Sequence, residues 1–304
     1  LARIKNKLIR LLYLRNPINV ILGQKFYKND SGFIANLVGN YILKKNRLIT
    51  QSNFTSSDES IINNIDELKR EGFNALNIKI PEKIIEEINK QLYSEIKKLE
   101  MPRDGRLEIS SIKNQSFYEK FPAVSKILDI QSIRDIIHGY YGSGFRVINT
   151  HIYRTIPINK KSKTGHAIEA YGSTEYWHND GSTTDSIKLF VLMNDIDEQM
   201  GPMHIISKKE TKKIISNGFS KYKEGLSNGI IENKCEVKKF VGPSGVTLLA
   251  DTNLCLHRGD ILKKDAYRDM LVFYIISSKE KYSGINPIMS SGEQFFGFKR
   301  LFFN

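Results

Sequence analysis

From Phe145 onward the chain changes texture. Runs rich in Ile, Val, Phe and Tyr alternate with breaks at Gly, Asn and Asp. Those runs are Arg146–Ile156, Ile187–Asn194, His204–Ile206, Val246–Ala250, Leu254–His257 and Tyr267–Ser277. Short strands separated by turn signals predict a sandwich or barrel. The preceding residues read differently. Ser/Asp cap chemistry opens a helix at about 58–71 that Gly72 stops, a short strand Ala75–Ile80 follows, and Pro81 stands at the first turn of the next helix. Over Lys83–Leu99, Ile84, Ile85, Ile88, Leu92 and Ile96 recur at helical spacing, and two more helices are expected at about 116–128 and 131–139.

Helices first and a β-rich half after them predict a mainly β fold with N-terminal helices (α+β). Its expected core is a jelly roll, a cupin-like double-stranded β-helix. The expected domains are a basic helical extension with its linker, 1–57, and a larger domain, 58–304. The latter comprises a helical buttress (58–140) and a metal-binding β core (145–278).

A metal is suggested by His178-Asn179-Asp180, answered far downstream by His257. Residues i and i+2 of a strand point to one face, so His178 and Asp180 can grip one ion from a strand end. His257 lies where an apolar run meets the turn-forming Arg258-Gly259-Asp260, and a jelly roll brings such distant segments side by side. Two imidazoles and one carboxylate leave about three coordination positions open, the ligand pattern of non-haem Fe(II) oxygenases. Eleven residues after His257 stands Arg268, at the start of the last strand. A guanidinium directed inward there offers the planar fork that suits a carboxylate. Its bland reading is an ion pair with Asp265 or Asp269.

In this order the motifs resemble the phytanoyl-CoA dioxygenase family of Fe(II)/2-oxoglutarate oxygenases. The likeness runs from Glu71-Gly72-Phe73 through Pro81-Glu82, Trp177-His178-Asn179-Asp180, Ile187–Leu192, Gly201-Pro202-Met203 and Asp251…His257-Arg258-Gly259 to Arg268, ending near Ser278. It implies that His178, Asp180 and His257 hold iron, that Arg268 holds 2-oxoglutarate, and that O2 is the oxidant. Related halogenases lack the carboxylate, so Asp180 favours hydroxylation or a related oxidation. Two places depart from the family pattern. Ser207-Lys208-Lys209-Glu210 stands where members often carry Pro-Gly-Ser-His, and Gly259 stands where some place a Ser or Thr. The competing reading is a cupin-like module that binds metal or sugar without 2-oxoglutarate, since jelly rolls host many functions.

Other residues have plainer expectations. Tyr153, on a strand that would line the barrel, is the candidate hydroxyl donor to the co-substrate, with an ordinary core tyrosine as its alternative. His204 follows Gly-Pro-Met and reads as a loop or strand-surface histidine, with a substrate-facing residue or an alternative ligand as the competing reading. His151 is expected to be a hydrogen-bonded core residue, His138 to lie on a helix surface, and His166 in a loop. Cys255 is expected to be a small buried residue facing the interior. Loops Pro157–Tyr171 and Lys208–Lys239 are expected to select substrate.

The formal charge is +13, and residues 1–50 hold +9 of it, with ten Lys or Arg against the single acid Asp30. This suggests an anionic or surface-associated small molecule as substrate, and no nucleic-acid motif accompanies the charge. For the segment itself, peripheral contact with anionic membrane competes with packing against the core. Loose amphipathicity and the breaks Asn16-Pro17 and Asp30-Ser31-Gly32 favour packing. No run approaches the ~18 apolar residues of a membrane span. No secretory signal is expected, and two cysteines make no disulfide framework, so a cytoplasmic, reducing setting is expected.

Overall fold

Two antiparallel sheets share one apolar interior. In the computed structural model, residues 33–50, 56–99, 106–112, 116–157, 177–180, 185–216, 231–263 and 265–284 are described. His166, residues 158–171 of the expected loop Pro157–Tyr171, and residues 1–32 lie outside them. The described helices are α1 (Phe33–Thr50), α2 (Glu59–Glu71), α3 (Glu82–Ile96), α4 (Phe117–Lys120), α5 (Ala123–Ile127), α6 (Gln131–Tyr141) and α7 (Lys208–Ser216). The strands are β1 (Phe73–Lys79), β2 (Arg106–Ser110), β3 (Gly144–Thr155), β4 (Ser186–Leu192), β5 (Met203–Ile205), β6 (Lys238–Phe240), β7 (Val246–Ala250), β8 (His257–Gly259) and β9 (Arg268–Ser278). Six strands form one sheet in the order β1-β7-β4-β9-β3-β2, and three form the other in the order β6-β5-β8.

Strand alternation divides the six-stranded sheet cleanly. Ile187, Leu189 and Val191 of β4 and Leu271, Phe273 and Ile275 of β9 face the helices, where they meet Ile61, Leu68, Ile85, Leu92, Ile133 and Ile137. The intervening residues Phe190, Leu192, Met270 and Val272 face the other way and pack against Met203, Ile205 and Phe240 of the small sheet. The second face, between the sheets, is where inward-pointing polar residues can act.

The helices form as their sequences direct. The Asp58 side chain caps α2 by accepting from Ser60 N at 2.9 Å, and Gly72 ends it at φ +88°, with its N–H donating to Leu68 O at 2.9 Å. Gly72 is also pressed against the turn after β7: its carbonyl accepts from Asp251 N at 2.7 Å, and a Cβ there would lie 2.5 Å from Cys255 Sγ. The basic extension contributes α1, whose Ile42 and Asn46 are buried. Asn46 Nδ2 donates to Ser277 Oγ of β9 at 2.9 Å, and Arg47 Nε to Tyr141 O at 2.5 Å, so this part of the segment is packed on the core. Among the described residues no helix is long and apolar enough to cross a membrane.

Three expectations need correction. The expected helix 116–128 is two short ones, divided at Pro122, which lacks an N–H to continue the first. The expected strand Leu254–His257 begins only at His257. Asp251 winds the preceding residues into a turn, its carbonyl oxygen accepting from Leu254 N and Cys255 N at 3.1 and 3.0 Å and its Oδ1 from Asn253 N and Leu254 N, both at 3.1 Å. The segment Lys208–Lys239 begins as helix α7 and ends in strand β6, with residues 217–230 outside the described set.

Gly72→Ala should be costly, because it places a Cβ at positive φ and against Cys255. A loss of about 1–3 kcal/mol is expected from urea denaturation; an unchanged midpoint would show that the α2 cap can move freely.

Candidate metal centre

Main-chain pairing brings the two expected metal histidines together. His178 N donates to His257 O at 3.0 Å and His257 N to His178 O at 2.9 Å, an isolated antiparallel bridge. Their rings lie 4.3 Å apart, centre to centre. Two residues on, Asp180 N donates to Thr252 O at 3.0 Å, while Asn179 Nδ2 donates to Asn253 O at 3.1 Å. His178, Asp180 and His257 thereby offer one ligand atom each within 4.8 Å of one another. Among the described residues no other group of three or more His, Cys, Asp or Glu has this arrangement.

Protonation suits a cation. His257 Nδ1 lies 3.1 Å from the Cys255 carbonyl oxygen, which fixes that nitrogen as the N–H donor and leaves the Nε2 lone pair free. Burial, with His178 adding to it, pushes the His257 imidazole down to about 3 against the opposing pull of Asp180. Burial alone would raise the Asp180 carboxyl, but Lys188, His257 and His178 together outweigh it and hold the group well below the usual carboxylate range. A neutral imidazole and an ionised carboxylate are the forms a divalent metal requires. The donor set of this chain therefore fits the metal that the sequence implies.

Arg268 opens β9 on the inner face, opposite Thr155, and is 3 % exposed, so it is not turned to solvent. The neighbouring Asp269 carboxylate is bonded through both oxygens by Arg154, at 2.7 and 2.6 Å. Tyr153 sits one inner-face step away, opposite Met270. Its hydroxyl donates to Met270 Sδ at 3.1 Å, and the Arg106 guanidinium lies 4.0 Å over its ring. Cys255 is buried beneath Gly72, as expected of a small interior residue. His204 lies on the outer face of the small sheet, buried, with Nε2 3.5 Å from Asp260 Oδ2 and its ring near Trp177. It is not part of the metal cluster. His138 is half-buried on α6.

The sequence reading passes over Lys188. It lies on the inner face of β4 and donates to Asp180 Oδ2 at 2.6 Å, with its ammonium 4.4 Å from the centre of the Tyr274 ring. A charged residue in the otherwise apolar stretch Ile187–Leu192 was the available signal. His151 continues this polar row. Its ring packs 4.9 Å from Tyr274, its Nδ1 lies 2.8 Å from Glu108 Oε1, and its Nε2 is hydrogen-bonded with Asn149.

No protein-family model matches the chain, and no curated protein matches it. Among solved structures it is similar to the non-heme alpha-ketoglutarate-dependent carbocyclase SnoK from nogalamycin biosynthesis, with TM-score 0.51 and 11% identity over 71% of this chain and 83% of that one. It is likewise similar to EctD from S. alaskensis, solved with 2-oxoglutarate and 5-hydroxyectoine, with TM-score 0.51 and 13% identity over 73% of this chain and 78% of that one. At these identities the likeness is one of fold.

Asp251 roots the turn that holds Asp180. Burial pushes its carboxyl up to about 7, against hydrogen bonds from Leu254 N and Asn253 N that favour the ionised form. The folded chain thus keeps a proton that the unfolded chain releases near pH ~4. This contribution to stability is complete below that pH and is lost as pH rises toward about 7. His257 has the opposite sign, its contribution being lost as pH falls below ~6.5. Asp251→Asn should remove only the first. Urea stability of the variant relative to wild type should therefore rise between pH ~4 and ~7 and then level; a pH-independent difference would contradict the assignment.

Proposed function

We propose that this protein is a non-haem Fe(II)- and 2-oxoglutarate-dependent dioxygenase of the phytanoyl-CoA dioxygenase type, built on a double-stranded β-helix spanning 145–278. On this reading it hydroxylates a small, anionic biosynthetic metabolite. The observation that carries the reading is the convergence of His178, Asp180 and His257 within 4.8 Å, supported by buried Arg268 on the same inner surface. The oxygenase fold likeness and the two free cysteines are consistent with it and with a cytoplasmic setting.

Each residue then has a task. His178 and His257 supply nitrogen ligands and Asp180 an oxygen ligand. The Cys255 carbonyl fixes the His257 tautomer, and Thr252 and Asn253 fix the backbone around Asp180. Arg268 anchors the distal carboxylate of 2-oxoglutarate. Tyr153 walls that anchor through its ring, with its hydroxyl engaged by Met270. When bound, iron and 2-oxoglutarate supply an oxidation by O2 in which 2-oxoglutarate loses CO2 to become succinate and a substrate C–H becomes C–OH. The apolar lining from Phe190, Leu192, Val272 and Met270 keeps water from this interior.

Purified protein given Fe(II), 2-oxoglutarate and O2 is expected to form succinate slowly even without substrate. His178→Ala should abolish this, and Arg268→Met should weaken 2-oxoglutarate binding by about a hundredfold, as loss of a bidentate charged contact implies. Absence of both 2-oxoglutarate binding and succinate from the wild-type protein would reject the reading and favour a cupin-like binding module.

A further inference from the structure

We propose that Lys188 is a specificity-determining residue, which receives an anionic group of the primary substrate, a carboxylate or a phosphate, once the metal has claimed Asp180. This rests on the oxygenase reading above and deepens it. Lys188 is buried in the middle of a sheet, with apolar Phe190 and Leu192 following it on the same face. An ammonium in such a place needs an anion beside it. Among the described residues the carboxylate bonded to it is that of Asp180, at 2.6 Å. The same Oδ2 lies 3.9 Å from His257 Nε2, on the side where a metal shared by the triad would sit. Two cations therefore draw on one carboxylate, and a divalent ion weakens the hold of the ammonium.

Charge counting says what replaces it. A divalent metal, Lys188 and Arg268 together carry four positive charges, against one on Asp180 and two on 2-oxoglutarate. One positive charge remains for a further anion. Glu108 does not supply the balance, since Arg106 Nη2 at 3.7 Å and His151 at 2.8 Å already stand beside it. The register separates the two basic residues. Lys188 is paired with Tyr274, six residues along β9 from Arg268, which is roughly 20 Å at strand rise. The Asp180 contact lies at the Lys188 end. Arg268 and Lys188 thus start from well-separated backbone positions on one face, so the guanidinium and the ammonium can serve different anionic groups. A ring beneath the ammonium and an imidazole beside that ring make a fixed polar wall at Lys188.

The test uses the full chain with Co(II) in place of iron and inorganic phosphate as the probe anion. With 2-oxoglutarate saturating, the paramagnetic ion should broaden the phosphorus-31 resonance of phosphate bound near it. Phosphate affinity should fall about tenfold or more in Lys188→Met and be retained in Lys188→Arg, while 2-oxoglutarate affinity stays within about twofold of wild type. Without added anions, Co(II) should bind Lys188→Met more tightly, by about tenfold, because the competing ammonium is gone. The proposal is overturned if Lys188→Met binds phosphate as the wild type does. It is equally overturned if the variant loses 2-oxoglutarate, which would assign Lys188 to the co-substrate. Failure of the wild-type protein to bind 2-oxoglutarate at all would instead reject the underlying oxygenase reading. Thermal melts of both variants establish that each is folded, and Lys188→Arg supplies the test of charge if Lys188→Met is not.

Discussion

The antiparallel bridge between His178 and His257 is the constraint on which the candidate centre depends. Its two main-chain hydrogen bonds, 3.0 and 2.9 Å, join segments from distant parts of the chain and bring both imidazoles toward one point. Side-chain ligands alone would not do this without a metal, because ordering two histidines and a carboxylate costs conformational entropy that free ligands do not recover. Here the backbone orders them. The Asp251 turn extends the same device to Asp180 through the Thr252 carbonyl, and Gly72 O holds that turn to the end of α2. Helix cap, turn, bridge and ligand form one mechanical series, so the buttress helices matter to the centre through it.

The two faces of the six-stranded sheet are chemically distinct for a reason that follows from this series. Toward the helices the sheet is apolar at Ile187, Leu189 and Val191 of β4 and at Leu271, Phe273 and Ile275 of β9, where it has only packing to do. Toward the small sheet the apolar lining is interrupted at Lys188, His151 and Arg268. Buried or half-buried, such groups are costly unless paired, and Lys188 with Asp180 and His151 with Glu108 show how the protein offsets the cost. The outer face of the small sheet holds a separate charged group. Arg258 bonds Glu232 at 2.7 Å and Asp260 at 2.8 Å and lies 5.7 Å over the Trp177 ring. Those contacts tie Glu232 and Trp177 to the small sheet.

Much of this was legible in the sequence where a local rule sufficed. Asp58 and Gly72 mark the limits of α2, and the apolar runs mark β3, β4, β7 and β9 within two residues. The H-x-D spacing predicted a shared strand-end grip, and His257 does join that cluster. What could not be read depended on partners. Strand β2 is a short mixed sequence, Arg-Leu-Glu-Ile-Ser, that becomes a strand because β3 offers it an edge. Strand β6 is Lys-Lys-Phe, held by β5. Leu254–Cys255–Leu256 looked like strand by composition, yet the Asp251 carboxylate and carbonyl wind it into a turn. Lys188 was hidden for the same reason, since its significance lies in the Asp180 carboxylate that the fold delivers to it.

The central claim is that His178, Asp180 and His257 together hold one divalent metal and leave coordination positions open. X-ray absorption at the iron edge of the anaerobically Fe(II)-loaded protein measures this directly, because imidazole rings have a distinct scattering signature. The account predicts six N/O ligands with two imidazole contributions, and one imidazole fewer in His257→Ala. It also predicts that adding 2-oxoglutarate changes the non-imidazole oxygen shell while leaving the imidazole count at two. A bound iron without imidazole scattering, or a spectrum that His257→Ala does not alter, would contradict it.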